Sequence, residues 1–404
     1  MAKSKGVSGR AVRIVALVLL GVLLALSICF FVMENGALPV SGTGAMHFEA
    51  AGITMRYDMD SYAQIHTYKE GKGFFLASRD GVRFVGSDGL EKMSDTFNMS
   101  APRLIGKAGV IGVAEENGAT LYVYNASGRM YAAQTENPIV SFSVAPNGYS
   151  VVITRKGEDY NVIVYTDMGK ISFNWIYVEP NVYPLAAEVS NDGRILAISY
   201  LNTNGGEMNS RIEFVYINKT EAADYVQTDS VYAADNANPD RLVGVLRFME
   251  GNKLLALSDK GIVCYDADNK ARRSWSMELG NVLDAYCFAE PGWFALAYGE
   301  RDPNLPGEEP GLCRFYDLSG TVLGDYRAPA GATALFAGYN SVLIGSGRQF
   351  TALSNNGNFL WSYDATMDVS QALFMENTNK LVLAGGAQAE VVRRVRDKAD
   401  DAAE

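Results

Sequence analysis

Histidine and cysteine are both scarce in this chain. Its 404 residues include two histidines and four cysteines, so a zinc site of the usual Cys and His ligands has few candidates. His47 and His66 lie far apart, without a helical H-x-x-x-H pattern. Asp266 and Asp268 begin like a calcium loop, but Lys270 takes the third ligand position, which favours a surface turn. No G-x-S-x-G motif occurs, so we predict no catalytic residue, no metal site and no cofactor.

The chain is also short of positive charge. It carries 35 Lys and Arg against 46 Asp and Glu, a formal net charge of −11. Four cations stand before residue 34, where no acidic residue occurs, so the rest of the chain carries −15. Nucleic-acid binding needs clustered Lys and Arg, and we therefore expect no nucleic-acid partner. The charged fraction of 20% is too low for a disordered chain.

One long apolar run lies near the N-terminus. Residues 14–33 (IVALVLLGVLLALSICFFVM) contain no charge and would span roughly 30 Å as a helix, the thickness of a bilayer core. We predict a transmembrane helix over 14–33, which makes the lipid bilayer a partner. The basic residues 1–13 would stay in the cytoplasm, because cations favour that side. Residues 34–46 (ENGALPVSGTGAM) are typical of a flexible linker.

A cleaved signal peptide is the alternative for this run. Cleavage requires a shorter apolar stretch followed by small residues, whereas bulky residues occupy positions 30–33 here. We favour an uncleaved anchor. The predicted location is then the cell membrane, with a single pass and an extracellular C-terminal domain.

Three cysteines lie outside the apolar run. Cys264, Cys287 and Cys313 each sit in an apolar, strand-like segment, and an odd number cannot all pair within the chain. We predict buried free thiols, with a Cys264–Cys287 disulfide as the alternative. So little cysteine in an exported domain favours a bacterial envelope protein.

Beyond the linker, a pattern of four short β-rich segments recurs. One copy runs from Ile139 to Tyr177 as IVSFSVAPNG, YSVVITRKG, YNVIVYTDMG and KISFNWIY. Further copies begin at Ala63, Arg103, Tyr183, Arg241, Val282, Thr333 and Gln371. Each copy is about the length of one four-stranded blade of a β-propeller. We therefore predict an all-β propeller over residues 47–396, followed by a polar tail over 397–404.

The number of blades follows from the two ends of the repeat. The last copy lacks a fourth segment, and the stretch 52–60 (GITMRYDMD) is a strand without a blade. Pairing this strand onto the last copy would hide two open sheet edges and close a ring of eight. Seven blades is the alternative, because the sequence around 229–240 is irregular.

Aromatic residues recur at fixed places in the copies. A tyrosine near the end of the third segment is predicted to be core (Tyr124, Tyr165, Tyr216, Tyr265 and Tyr316). A tryptophan in the fourth segment is predicted to pack one blade against the next (Trp175, Trp275 and Trp361).

The segments YTDMGKISFNW, YDADNKARRSW and LSNNGNFLW resemble the blade motif of quinoprotein-like and WD40-like propellers. The whole arrangement resembles an uncharacterised clostridial family, within the Firmicutes, of single-pass membrane-anchored propellers with a domain of unknown function. The adjacent cysteine pair of quinone-dependent dehydrogenases is missing, so the resemblance implies the fold and no activity.

A large rigid fold behind an anchor, without a catalytic motif, predicts a non-catalytic scaffold that binds another protein of the cell envelope. The long insertion 301–311 (RDPNLPGEEPG) between two strands of one blade is a candidate contact loop. The alternative is a small-molecule sensor or enzyme, for example for a glycan fragment, that uses the central channel of the propeller.

Overall fold

The protein folds as an eight-bladed β-propeller. A computed structural model describes residues 46–57, 63–68, 71–177, 179–204, 209–217, 231–239, 241–290, 292–301, 307–328, 334–375 and 379–396. Within them, eight separate sheets of four antiparallel strands occur, and residues 48–394 form one compact unit. The prediction of eight blades is confirmed, and seven is excluded because Val231–Pro239 completes the irregular copy as a fourth strand.

The strands follow the chain order of the predicted copies. Blade 1 consists of β2 Gln64–Tyr68, β3 Gly73–Ser78, β4 Gly81–Gly86 and β5 Glu91–Thr96, and blade 2 of β6 Pro102–Lys107, β7 Val110–Glu115, β8 Thr120–Asn125 and β9 Gly128–Gln134. Blade 3 consists of β10 Ile139–Val144, β11 Ser150–Lys156, β12 Asp159–Tyr165 and β13 Ile171–Tyr177, and blade 4 of β14 Val182–Val189, β15 Ile195–Asn202, β16 Asn209–Tyr216 and β17 Val231–Pro239. Blade 5 consists of β18 Val243–Phe248, β19 Lys253–Ser258, β20 Gly261–Asp266 and β21 Arg272–Glu278, and blade 6 of β22 Asn281–Ala289, β23 Trp293–Arg301, β24 Leu312–Asp317 and β25 Val322–Arg327. Blade 7 consists of β26 Ala334–Ala337, β27 Ser341–Ser346, β28 Gln349–Ser354 and β29 Phe359–Asp364, and blade 8 of β30 Gln371–Met375, β31 Lys380–Ala384 and β32 Gln388–Arg396 together with β1 Met46–Arg56.

The N-terminal strand closes the ring. β1 pairs with β32, so that the last blade is built from both ends of the chain. The backbone N–H of Tyr57 donates to the carbonyl of Ala387, and the Tyr57 hydroxyl donates to the carbonyl of Gly385. The strand predicted over 52–60 begins earlier, at Met46, because the nine residues of β32 offer a longer edge to pair with.

The first strand of each blade is the innermost one. First strands of neighbouring blades lie against each other, and glutamine side chains tie three of these blades together. The Gln64 amide oxygen accepts from the N–H of Leu104 at 2.8 Å, which joins blade 1 to blade 2. The Gln371 amide oxygen accepts from the N–H of Ile65 at 2.7 Å, which joins blade 8 to blade 1 across the closure.

Antiparallel order gives the propeller two distinct faces. We call face I the end where the first strand turns into the second and the third into the fourth. Face II carries the turns between second and third strands and the connections between blades. The insertion 301–311 joins β23 to β24 and so belongs to face II, although residues 302–306 lie outside the described residues.

Aromatic side chains of the outer strands dock onto the next blade. The Trp275 ring lies on Gly320, in the turn before β25, and its Nε1 donates to the carbonyl of Leu318 at 2.8 Å. Gly320 has a φ of +80°, and a Cβ there would lie 3.0 Å from the Trp275 ring, so glycine suits both the turn and the contact. Tyr131 of blade 2 lies on Gly169 of blade 3 in the same way.

The predicted aromatic core is confirmed. Tyr124, Tyr165, Tyr265 and Tyr316 are buried, and Tyr216 is half-buried against the core. The three predicted tryptophans also pack between blades, as Trp175 does in the cluster shared by blades 3 and 4. Burying one such ring stabilises the fold by roughly 2–3 kcal/mol.

A comparison of Trp275 with Trp361 tests this docking directly. Trp361 is buried and Trp275 is partly buried. The Trp361 Nε1 has no acceptor among the described residues, whereas Trp275 donates to the next blade. We expect Trp275→Phe to lower the free energy of unfolding by about 1–2 kcal/mol more than Trp361→Phe, because only the former removes a hydrogen bond between blades and leaves the Leu318 carbonyl with just the 4.0 Å contact to Cys264 Sγ. Urea denaturation of both variants measures the difference, and equal losses would contradict the role of the hydrogen bond.

Candidate functional site

Charged side chains meet in the central channel, near its face I end. Lys107 is the last residue of β6, while Glu188 and Arg247 each stand one residue before the end of β14 and β18. These strands belong to blades 2, 4 and 5. Because each is an innermost strand, their side chains can meet across the axis of the ring. The channel therefore contains a cluster of ions contributed by three blades.

A buried ion pair forms the centre of this cluster. The Lys107 Nζ lies 2.6 Å from the Glu188 Oε1, and the two side chains are 1% and 3% exposed. The second carboxylate oxygen, Oε2, accepts from the backbone N–H of Phe248 at 2.9 Å. The pair thus bridges blade 2 to blade 4, past blade 3, and the carboxylate also holds blade 5.

Arg247 lies beside this pair but forms no hydrogen bond with it. Its guanidinium lies 3.9 Å from the Glu188 Oε1, beyond hydrogen-bond distance, and its side chain is 23% exposed. No closer acceptor lies near it within the part of the chain that the structure describes. The cluster therefore has more hydrogen-bond donors than acceptors.

The environment of the cluster shifts two pKa values downward. Burial lowers the pKa of Lys107 to about 8, an effect that the carboxylate of Glu188 opposes and the charge of Arg247 adds to. Burial also lowers the pKa of His66 to about 4, and Arg247 lowers it further. His66 packs its ring onto Gly106 of blade 2, where a Cβ would lie 2.2 Å from the imidazole. At neutral pH His66 is therefore an uncharged member of the channel wall.

Three further side chains are exposed on innermost strands, on the face II side of the ion cluster. Arg103 and Asp284 are exposed on the innermost strands of blades 2 and 6, and so is Tyr286. Burial raises the pKa of the Tyr286 hydroxyl, while the charge of Arg103 lowers it, so these side chains interact across the channel. The Tyr286 ring lies 5.6 Å from the ring of Phe288, one step further towards the ion cluster.

The calcium-like turn is occupied by ion pairs. Asp266 pairs with Lys253 at 2.7 Å, and Asp268 accepts from Arg194 and from Asn252, both at 3.0 Å. Residues 267–270 form a turn that is exposed from Asp268 onwards, and the turn links blade 5 to blade 4. No group of three His, Cys, Asp or Glu side chains suited to a metal occurs among the described residues.

The three cysteines of the propeller are buried free thiols, as predicted. Cys264 lies in the cluster between blades 5 and 6, while Cys287 and Cys313 lie between blades 6 and 7, so the alternative Cys264–Cys287 disulfide is wrong. Burial raises the pKa of Cys264 to about 11 and that of Cys287 to about 12, which makes both poor nucleophiles at neutral pH.

The sequence prediction missed the channel cluster. Its only signal was a charged residue near the end of an otherwise apolar first segment, as in RLIGK, PLAAE and VLR ending at 107, 188 and 247. Buried charges in apolar strands are rare enough to be informative. However, nothing in the pattern showed that residues from non-adjacent blades would meet.

Comparisons with known proteins identify the fold and a family. A model described as "Family of unknown function (DUF5711)" matches residues 46–393. Sqt1 of Chaetomium thermophilum has a TM-score of 0.54 at 11% identity, over 85% of this chain and 98% of that one. Apo AztD of Citrobacter koseri has a TM-score of 0.51 at 10% identity, over 83% and 89%. No curated protein matches by sequence. At such identities these structures are similar in fold alone.

The ion pair should be costly to break. We expect Glu188→Gln to lower the free energy of unfolding by about 3–5 kcal/mol, because it leaves the Lys107 ammonium buried without a counter-charge. Asp88→Asn is the matched control, since Lys92 and Asp88 are as close, at 2.5 Å, but exposed, and this variant should lose much less stability. Chemical denaturation compares the two. Adding Lys107→Met to Glu188→Gln should restore part of the loss, and a further loss would contradict this account.

His66 should make the fold sensitive to mild acid. Between pH 6.5 and about 4, His66 binds a proton in the unfolded chain but stays neutral in the folded protein, so stability falls as the pH falls through this window. Over this window the free energy of unfolding falls by between about 1 and 3 kcal/mol, and the lower figure allows for partial solvent access to the ring. Unfolding free energies measured across the window should show a shallower slope for His66→Gln. An unchanged slope would refute the assignment.

Proposed function

From the premise that the chain belongs to the family of unknown function DUF5711, we propose that it is a single-pass membrane protein of a bacterial cell envelope. Its propeller would stand outside the cytoplasm as a non-catalytic platform for another envelope protein. Residues 14–33 would anchor it and residues 34–46 would act as the linker. Residues 1–45 lie outside the described part of the chain. No described helix is long and apolar enough to cross a bilayer. The anchor thus rests on sequence.

The observation that carries the proposal is the direction of β1. Glu49, near its start, accepts from Arg393 Nε at 2.6 Å, near the end of β32. Tyr57, at its other end, bonds to the turn between β31 and β32 on face II. The chain therefore enters the propeller at face I. An anchor that precedes β1 would hold face I towards the membrane.

Face I carries most of the exposed large apolar side chains. Val322, Leu323, Tyr339, Phe359 and Leu360 lie on blades 6 and 7, Leu90 lies on blade 1 and Met46 begins β1, so these seven flank or belong to the blade that β1 enters. Met168 and Ile171 lie on face I of blade 3. Phe359 is 58% exposed, in a position directly after a face I turn. Exposed apolar side chains gathered on one face indicate a surface that meets another apolar phase.

The charge of the same region differs from the rest of the propeller. Next to the point of entry, the face I ends of blades 8 and 1 carry more basic than acidic described residues: Lys72, Lys92, Lys380, Arg393 and Arg394 against Glu49, Asp88 and Glu91. The chain beyond the anchor is strongly acidic overall. A local basic surface beside apolar side chains suits an anionic bilayer, because each cation near such a surface contributes about 1 kcal/mol of attraction.

Face II would then point away from the membrane and be available to a partner. It carries the insertion 301–311, which joins the second and third strands of blade 6. Loops on a rigid scaffold are common contact sites, because the scaffold pays little conformational entropy on binding.

Protease access tests the topology in cells stripped of their wall. A tag at the C-terminus of the full chain should be degraded by added protease, while a tag at the N-terminus should be protected until the membrane is permeabilised. The reverse pattern would overturn the orientation. Cross-linking in intact cells followed by purification through the N-terminal tag should recover one envelope protein reproducibly.

The control for cross-linking is a chimera in which residues 1–45 precede an unrelated folded domain. A partner recovered with both chains would belong to the anchor. Absence of any partner specific to the full chain, with the expected protease pattern, would reject the platform and leave the membrane topology standing.

A further inference from the structure

The guanidinium of Arg247 is the one cation of the channel cluster that lacks a close acceptor among the described residues. Arginine presents five donors in a planar fork, and none of them reaches an acceptor closer than the Glu188 Oε1 at 3.9 Å. By contrast, Arg314 donates to both oxygens of Asp325, at 2.6 and 3.0 Å. A partly enclosed arginine without such a partner suits an external acceptor.

Both carboxylate oxygens of the neighbouring Glu188 already accept a hydrogen bond. Glu188 accepts from Lys107 with one oxygen at 2.6 Å and from the N–H of Phe248 with the other at 2.9 Å. Each oxygen could accept a second hydrogen bond, but none is formed by Arg247, whose guanidinium lies 3.9 Å from Oε1. Arg247 therefore has donors left for another acceptor.

Arg247 also imposes a positive potential on its surroundings. Its charge lowers the pKa of both His66 and Lys107, each on a different blade. Since Lys107 is compensated by Glu188 and His66 is neutral at pH 7, the local excess is one positive charge. Glu290, whose charge raises the pKa of Lys107, is exposed on face I and is screened by solvent.

The approach to Arg247 is solvent-accessible and partly aromatic. The Arg247 side chain is 23% exposed and lies on an innermost strand, one residue before the end of β18. Tyr286 is 42% exposed, and its ring lies 5.6 Å from that of Phe288. An anion that reached Arg247 from face II would pass these rings, which can pack against its apolar portion.

We infer that the central channel binds a small monoanionic carboxylate, with the Arg247 guanidinium as its anchor and the Lys107–Glu188 pair as the floor of the site. The planar fork matches the two oxygens of a carboxylate. A single excess positive charge suits a monoanion better than a phosphate dianion. This inference stands on the channel alone and does not depend on the membrane anchor.

Fluorine NMR tests the site on the full-length protein in detergent micelles, with trifluoroacetate as the probe. We expect its signal to broaden in the presence of the protein and to sharpen again when benzoate is added at constant ionic strength. Empty micelles give the background. This measurement needs no variant, so it does not depend on whether a substitution folds.

Variants then assign the binding to Arg247. Arg247→Gln should weaken probe binding about tenfold or more, because it removes a charge-assisted pair, and Arg247→Lys should have an intermediate effect since it keeps the charge without the fork. Arg83→Gln is the matched control, because Arg83 lies 3.8 Å from Glu91 but at 50% exposure on the outside of blade 1. Its probe binding should equal that of the original protein.

Three results would overturn the inference. The first is broadening that benzoate does not reverse, and the second is equal broadening by a folded Arg247→Gln protein. The third is displacement of the probe by inorganic phosphate or chloride as readily as by benzoate, which would show a site without preference for carboxylates.

Discussion

The pairing of β1 with β32 is the constraint on which the rest of the structure depends. Seven blades can form from consecutive segments of chain, but the eighth needs a strand from the other end of the sequence. Without it, β32 would expose an unpaired edge, and the docking of blade 7 onto blade 8 would lose Phe48, whose ring lies 4.8 Å from that of Trp361. Gln371 adds a hydrogen bond to blade 1 across the same junction. Closure thus fixes both the ring and the position of its entry at face I.

Closure also creates a place where blades that are not neighbours interact. The buried pair of Lys107 and Glu188 reaches across the channel, and Glu188 holds the backbone of Phe248 in a third blade. Such a pair contributes little net stability compared with apolar packing, because desolvation offsets its attraction. Its value here is geometric, since it joins innermost strands of blades 2, 4 and 5 near face I, beside Arg247. The two faces therefore differ: face I carries the chain entry and most of the exposed apolar side chains of the described residues, and face II carries the insertion.

Much of the fold could be read from the sequence because a propeller repeats a local rule. Each blade is a meander whose turns contain Gly, Asn or Asp, so the strand boundaries of one copy predict those of the next. The aromatic positions followed too: Tyr265 is core and Trp275 docks on the next blade, as their places in the repeat predicted. The start of β1 was placed too late, because its length is set by the edge of β32, which lies more than three hundred residues away in sequence.

The sequence by itself determined the class of fold, the eight copies, the acidic body and the apolar run at 14–33, because each is a local property of composition or spacing. Only the tertiary structure decided that Lys107, Glu188 and Arg247 form one cluster. Their separations of 81 and 59 residues carry no periodic signal, and they meet solely because closure of the ring brings innermost strands of blades 2, 4 and 5 to a common axis. The family and the fold follow from the repeat, whereas the candidate binding site follows from the ring.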